Sequence, residues 1–175
     1  VTYVEQALSL LPSDAHYQRA ATKSLLGMAH WANGDLEKAL IGVQFENTHD
    51  RIKGTLVIAE IQKTLGHLNE AFQTCESSRK LAEEFPEPNP IGTEDVHIAN
   101  ADLHRERGDL AAAAQALETA KTLGDKIDLP DWRHRWCMVQ AQLKASQGEY
   151  EQALALLRQA EQDFVRTPIP VVRPI

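Results

Sequence analysis

The chain contains the stretch Gly34-Asp35-Leu36-Glu37-Lys38-Ala39-Leu40, and three variants of it recur downstream. The shared pattern is glycine, a polar residue, leucine or tyrosine, two variable residues, alanine and then mostly an apolar residue. The glycines follow one another at intervals of roughly 32, 42 and 40 residues. A period of this size is the sequence signature of a stack of repeated units. The variants begin at Gly66, Gly108 and Gly148.

Apolar residues at helical spacing flank each copy of this glycine motif, so each copy lies between two predicted helices. Gly34 ends the first of them, because only glycine enters the left-handed C-cap conformation without penalty. Asp35 can cap the next helix through its side-chain oxygen, and Asp50 can cap the one after it. The pattern predicts helices over 15–33 and 36–46. The complete prediction is an all-α, right-handed superhelical solenoid of about four helix pairs plus an N-terminal helix.

The helix pairs are expected to form one array that fills the chain. The sequence begins at Val1 inside a helical pattern and ends in a proline-rich tail, so we expect it to be a fragment of a larger protein. The predicted repeats cover roughly 14–47, 50–84, 91–124 and 129–165, and the tail covers 166–175.

Small residues recur at fixed distances on both sides of each glycine. Small side chains at matched places let two antiparallel helices approach closely, and stacked pairs bury the faces that one pair leaves open. Seven residues before the glycines stand Gly27, Ala59, Ala101 and Ala141, and five residues after them stand Ala39, Ala71, Ala113 and Ala153. Nine residues after them stand the apolar residues that should fill the space between pairs, Val43, Cys75, Leu117 and Leu157.

These four positions fall at the offsets of the tetratricopeptide repeat (TPR), which the chain therefore resembles. The longer stretches Leu25–Leu36 and Ala153–Glu161 resemble the sensor segment of MalT-like regulators, which are bacterial ATP-dependent transcription factors of the LuxR family. The resemblance implies a segment that binds an inducer or a partner protein. It also implies that this state passes to other modules of the same polypeptide, an ATPase and a DNA-binding module, which lie outside these residues.

Composition limits the classes of function that fit the chain. Of its 175 residues 43% are hydrophobic and 25% are charged, which is enough to bury a continuous core. The formal net charge of −7 argues against direct contact with nucleic acid, since such surfaces are usually basic. Cys75 and Cys137 are expected to be free thiols in a reducing compartment. No stretch approaches the ~18 apolar residues of a membrane span, so we expect a cytoplasmic protein without membrane contact.

No group of residues predicts catalysis, a metal or a cofactor. His97 and His104 share a helix face but lie about 10 Å apart by helical rise, which is too far to bind one ion. His30 stands at the same repeat offset as His104, which indicates a structural role for both. Trp132 and Trp136 lie among arginines, and this cluster either stacks on a ligand or packs against the protein with its arginines extended to solvent.

The first helix of each pair offers candidate ligand-binding positions, because these helices line the concave groove of TPR arrays. Their mixed charges suit a peptide or a polar small ligand, and the alternative is a solvated, empty groove. The leading functional prediction is a non-catalytic sensor domain of a LuxR/MalT-like regulator, and the alternative is a general TPR scaffold for a peptide or protein. The candidate groove residues are Met28, Trp31, Lys53, Glu60, Lys63, Asp102, Arg105, Arg135 and Gln142.

Overall fold

A computed structural model describes residues 1–43, 48–86, 89–127 and 131–166. Within these ranges the protein has nine helices and no β-strand, which confirms the predicted all-α fold class. None of these helices is both long enough and apolar enough to cross a membrane. The helices are α1 (Thr2–Leu10), α2 (His16–Ala32), α3 (Leu36–Gly42), α4 (Thr48–Thr64), α5 (Leu68–Glu83), α6 (Thr93–Glu106), α7 (Leu110–Gly124), α8 (Asp131–Ser146) and α9 (Tyr150–Arg166).

Each glycine of the repeated motif ends a helix in the left-handed conformation, as predicted. At the first turn the amide of Gly34 donates to the carbonyl of Trp31 at 3.0 Å, and the amide of Asp35 donates to the carbonyl of His30 at 2.9 Å. This pair of hydrogen bonds is the Schellman motif, which satisfies carbonyls that the helix end would leave unpaired. The same two bonds recur at the other three turns. The φ angles are 83°, 83°, 80° and 82° at Gly34, Gly66, Gly108 and Gly148.

The small residues that flank the turns are buried, and the closest approach is in the first helix pair. A β-carbon on Gly27 of α2 would lie 2.6 Å from the backbone nitrogen of Val43. A β-carbon on Gly42 of α3 would lie 2.8 Å from the α-carbon of Gly27. The two helices therefore meet backbone to backbone. The buried alanines at the two repeat positions that flank the glycines are Ala39, Ala59, Ala71, Ala101, Ala113, Ala141 and Ala153.

The apolar residues predicted to fill the space between pairs are buried in three of the four repeats. Val43, Cys75 and Leu117 are buried, whereas Leu157 is 46% exposed. Leu157 lies on α9, where Tyr150 and Leu154 are also exposed and precede it at helical spacing on the same face. The last helix therefore presents an exposed apolar stripe formed by Tyr150, Leu154 and Leu157.

The protein divides into two compact units, Val1–Ala99 and Asn100–Ile175. In the first unit α1 packs on α2, α2 packs on α3, and α4 packs on α5. Two side-chain hydrogen bonds fix the register of α4 and α5. Thr55 Oγ1 donates to Ser78 Oγ at 2.6 Å, and Thr74 Oγ1 donates to Gln62 Oε1 at 2.8 Å. Because buried polar groups are costly without partners, these bonds favour one alignment of the two helices.

The second unit has its core where α7 meets α8, and α8 also packs on α9. Trp136 Nε1 donates to the carbonyl of Leu117 at 2.8 Å and joins the two helices. Trp132 lies so close to the end of α7 that a β-carbon on Gly124 would be 2.3 Å from its ring. The buried core residues are Ala101, Ala113, Ala116, Leu117 and Leu143.

The helix boundaries of the first unit differ from the prediction at two places. α3 ends at Gly42 with Val43 as its C-cap, and the remainder of the helix predicted to reach Glu46 lies outside the described residues. α4 begins at Thr48, so Asp50 lies within the first helical turn and is not the N-cap. A carboxylate in the first turn still stabilises a helix through the helix dipole.

The predicted N-cap Asp35 is at the expected position, but its side chain makes no capping hydrogen bond. At the equivalent position of the third repeat, Asp109 Oδ1 accepts a hydrogen bond from the amide of Ala112 at 3.0 Å. The capping bond predicted at Asp35 is therefore absent, whereas Asp109, for which no cap was predicted, forms one.

Candidate functional site

The predicted groove residues of the first unit lie on α2 and α4. Met28 and Trp31 stand one turn apart on α2 and are 43% and 39% exposed. Lys53 is exposed near the start of α4. Near its end, Lys63 Nζ lies 2.6 Å from Glu60 Oε2, so these two charges compensate each other.

The predicted groove residues of the second unit lie on α6 and α8. Asp102 is buried, and its Oδ1 accepts a hydrogen bond from Arg105 Nε at 2.9 Å and forms an ion pair with Arg105 Nη2 at 2.7 Å. Burial disfavours the charged guanidinium, but the hydrogen bonds and negative charges of Asp102 and Glu106 together outweigh it and raise the pKa of Arg105. Arg135 is half-buried and Gln142 is exposed, two turns apart on α8. The structure thus brings Glu60 together with Lys63 and Asp102 together with Arg105.

The tryptophan and arginine cluster of α8 packs into the second unit. Trp132 is buried, and the guanidinium carbon of Arg133 lies 5.7 Å from the centre of its ring. Trp136 uses its indole nitrogen for the carbonyl of Leu117. Both rings are therefore engaged by the protein itself, which supports packing over stacking on a ligand.

The histidines of α6 have separate environments. Burial lowers the pKa of His97, and the positive charge of Arg79 lowers it further, while Glu83 acts in the opposite direction. His104 Nδ1 lies 4.0 Å from Asp109 Oδ2 at the following turn. Across the described parts of the chain, no group of three or more histidine, cysteine, aspartate or glutamate residues is placed to hold a metal ion.

A cleft of about 510 Å³ lies between α4 and α5 in the first unit. This volume falls within the range of small-ligand sites. Hydroxyl, amide and apolar side chains share its walls, and the described residues that line it include one cation and one anion. We call it the α4/α5 cleft; its lining residues are Arg51, Ile58 and Gln62 from α4, Glu70, Gln73, Thr74, Ser77 and Ser78 from α5, and Val43 after α3.

The two charged residues of the cleft lie toward its opposite ends. Arg51 is near the start of α4, whereas Glu70 is in the first turn of α5, beside the end of α4. Arg51 and Gln62 are eleven residues apart, which is about 16 Å by helical rise. Arg51 makes no ion pair within the described ranges. Glu70 Oε2 lies 3.6 Å from His67 Nδ1.

The cleft lies where α3 stops. α3 has 7 residues, whereas the other second helices, α5, α7 and α9, have 16, 15 and 17. A second helix of full length would continue past Val43 beside the next pair. The early end of α3 therefore leaves the polar faces of α4 and α5 uncovered by that helix.

Comparison with known protein families identifies the helical repeat as a whole. The family model of the MalT-like TPR region matches residues 1–174. The chain belongs to this family. No curated protein matches it. TPR-type helical repeats are generally non-catalytic interaction regions, and the helix pairs and glycine turns described above are their structural units.

Within this MalT-like TPR region, none of the candidate groove residues predicted from the sequence lines the α4/α5 cleft. The repeat offsets place packing positions on the second helices and the candidate groove residues on the first helices. Thr74 and Ser78 nevertheless carried a signal, because the equivalent residues of the third repeat are Ala116 and Ala120. These hydroxyl groups stand at places that the third repeat fills with methyl groups, and they bond to Thr55 and Gln62 across the helix pair.

Proposed function

We propose that the chain is the ligand- or partner-binding sensor domain of a cytoplasmic, multi-domain bacterial transcription regulator of the LuxR/MalT-like type. The match of the MalT-like TPR model to residues 1–174 is the observation that carries this proposal. The domain itself performs no catalysis. It acts by binding, and its signal is the difference in affinity of the ligand for two arrangements of the regulator.

A helical repeat region suits this role because each repeat contacts mainly its neighbours. A ligand that favours one packing of two adjacent repeats changes the relative stability of that packing. Modules attached to the repeat region respond if the two packings place them in different positions. The first-helix residues predicted above are the proposed contact positions for a partner, and each unit offers its own set, with Met28 and Trp31 on α2 in the first unit and Gln142 on α8 in the second.

The full-length coding sequence tests the regulator assignment most directly. We expect a phosphate-binding Gly-x-x-x-x-Gly-Lys-Ser/Thr loop upstream of these residues and a helix-turn-helix module downstream. The full-length protein should then bind ATP and a promoter fragment. A full-length protein that carries neither module would refute the assignment.

The second candidate is a general TPR scaffold, and the exposure of Met28 and Trp31 favours it. Large apolar side chains one turn apart are frequent anchors of protein interfaces. The double variant Met28→Ser, Trp31→Ser should abolish recovery of a bound protein from the native cytosol, while Lys23→Ser on the same helix leaves it unchanged. Equal recovery with both variants would count against a partner on α2.

Charge reversal is a less clear test of the same surface. Lys63 and Arg105 pair with Glu60 and Asp102, so Lys63→Glu or Arg105→Glu places like charges side by side. Either variant would change the stability of the helix as well as its surface. Neutral substitution of the exposed apolar residues avoids this.

A further inference from the structure

We propose that the α4/α5 cleft binds a short peptide with free termini, whose carboxylate pairs with Arg51 and whose ammonium group pairs with Glu70. This goes beyond the sensor function, because the first-helix surface proposed for that function does not include the residues of the cleft. The cleft would bind its ligand whether or not the chain is part of a regulator.

The placement of charge is the first argument. Among the described residues that line the cleft are one guanidinium on α4 and one carboxylate on α5, which lie toward opposite ends. A guanidinium binds a carboxylate through two parallel hydrogen bonds, so Arg51 is the natural partner of a C-terminus. A dicarboxylate would place a negative charge beside Glu70, and a polyamine would place a positive charge beside Arg51. A zwitterion is the class that satisfies both ends.

The length of the cleft is the second argument. The backbones of Arg51 and Gln62 are about 16 Å apart by helical rise, a span that about four or five residues of extended chain would fill, at roughly 3.3–3.6 Å each. A single amino acid fills only about one quarter of that span. The volume of about 510 Å³ is likewise that of a ligand larger than one residue.

The groups between the two ends are the third argument. Gln73 and Ser77 are exposed on α5 and offer both donors and acceptors for the peptide groups of an extended ligand. Gln62 uses its Oε1 to accept from Thr74, which directs the carboxamide nitrogen away from that bond. Ile58 and Val43 supply apolar contact for ligand side chains.

Tetra-alanine is the probe that tests this proposal. Its dissociation constant is measured by amide NMR titration of the intact chain, up to about 10 mM, a range that still detects a weak ligand of this size. The matched ligands are the N-acetylated, the C-amidated and the doubly blocked peptides. The matched proteins are Arg51→Gln, Glu70→Gln, the cleft-filling Ser77→Leu, and Lys80→Gln as an exposed cation on α5 outside the cleft.

We expect tetra-alanine to shift the amide signals of Thr74 and Ser77. Arg51→Gln and Glu70→Gln should each weaken binding by about two- to five-fold, as the loss of an exposed ion pair predicts. Ser77→Leu should abolish binding, and Lys80→Gln should leave it unchanged.

Paired changes in ligand and protein fix the orientation. The N-acetylated peptide should bind the native protein and Glu70→Gln equally, and the C-amidated peptide should bind the native protein and Arg51→Gln equally. Equal binding of the doubly blocked peptide, indifference to both charge variants, or no binding of tetra-alanine would overturn the proposal. Each of these results leaves the regulator assignment intact, since that assignment depends on the flanking modules.

Discussion

His30 Nδ1 lies 3.4 Å from Asp35 Oδ2 across the first glycine turn. The same offset joins His104 to Asp109 at 4.0 Å and Lys144 Nζ to Glu149 Oε2 at 3.0 Å. In three of the four repeats a basic side chain in the last helical turn thus faces an acidic side chain just after the glycine. Because the Schellman bonds already join the same two residues through the backbone, the side-chain pair is a second link across each turn.

The acidic residues of these turns should differ in their contribution to stability. Asp109 caps α7 through the amide of Ala112, whereas Asp35 makes no capping bond. We therefore expect Asp109→Ala to lower the free energy of unfolding by about 1 kcal/mol, and Asp35→Ala by about half of that or less. Urea denaturation measures both. An equal or reversed order would show that capping is not what distinguishes the two turns.

Gly27→Ala should destabilise the first unit even though alanine is a better helix former than glycine. The new methyl group would lie 2.6 Å from the backbone nitrogen of Val43, so α2 and α3 must separate. Overpacking of this kind costs about 1–3 kcal/mol, and the gain in helix propensity offsets up to about 1 kcal/mol of it. Thermal or urea unfolding measures the difference.

The exposed residue Lys23 on the same helix provides the control for that experiment. Lys23→Ala should leave the unfolding midpoint nearly unchanged, because the side chain faces solvent. A midpoint for Gly27→Ala at or above that of Lys23→Ala would contradict the close approach of the two helices.

Both cysteines should resist thiol reagents in the native protein. Cys75 and Cys137 are buried, and burial raises the pKa of the Cys75 thiol to about 12. The thiolate is the reactive form, so little of it is present at Cys75 at neutral pH. We expect both thiols to be modified slowly in buffer and quickly in denaturant. Rapid native labelling, assigned with Cys75→Ala and Cys137→Ala, would show that the helix pairs open readily.

Stability should fall in mild acid through His97. Its pKa is lowered in the folded protein, chiefly by burial, whereas the unfolded chain titrates near the ordinary value of 6.5. The unfolded state therefore binds more protons between the two values. The contribution of His97 to stability is fully present above the unfolded pKa and is lost as pH falls through the folded pKa.

The variant His97→Gln isolates this effect from that of the other histidines. Unfolding midpoints measured from about pH 7.5 to 5 should decline less steeply for the variant than for the native protein. Parallel declines would exclude His97 as a source of the acid sensitivity.

The sequence predicted the turns correctly because their causes are local. A left-handed residue is needed to end each helix, only glycine adopts that conformation without penalty, and so Gly34 and Gly108 marked the turns by themselves. The buried alanines followed from helical spacing alone. Leu157 is exposed, although the residues at the same position of the other repeats are buried. Burial at this position depends on the residues that pack beside it, and the sequence of α9 does not specify them.

The α4/α5 cleft could not be predicted because its lining residues come from two different repeats, with Val43 after α3 and the others on α4 and α5. Its hydroxyl-bearing wall is on α5, whereas Val43, which also lines it, follows the end of α3 at Gly42. Nothing local to Thr74 or Ser78 shows whether a preceding helix covers them.

The four glycine turns share one set of backbone hydrogen bonds although the side chains around them differ, so the turns do not depend on the side chains of the helix faces. Replacing Thr74 and Ser78 with the alanines of the third repeat would leave every turn unchanged and remove hydroxyl groups from the α5 wall of the cleft. The reverse exchange, Ala116→Thr with Ala120→Ser, would place hydroxyl groups on α7 with the turn at Gly108 undisturbed. Duplicated units of this kind can therefore acquire different binding specificities while they keep the same turns.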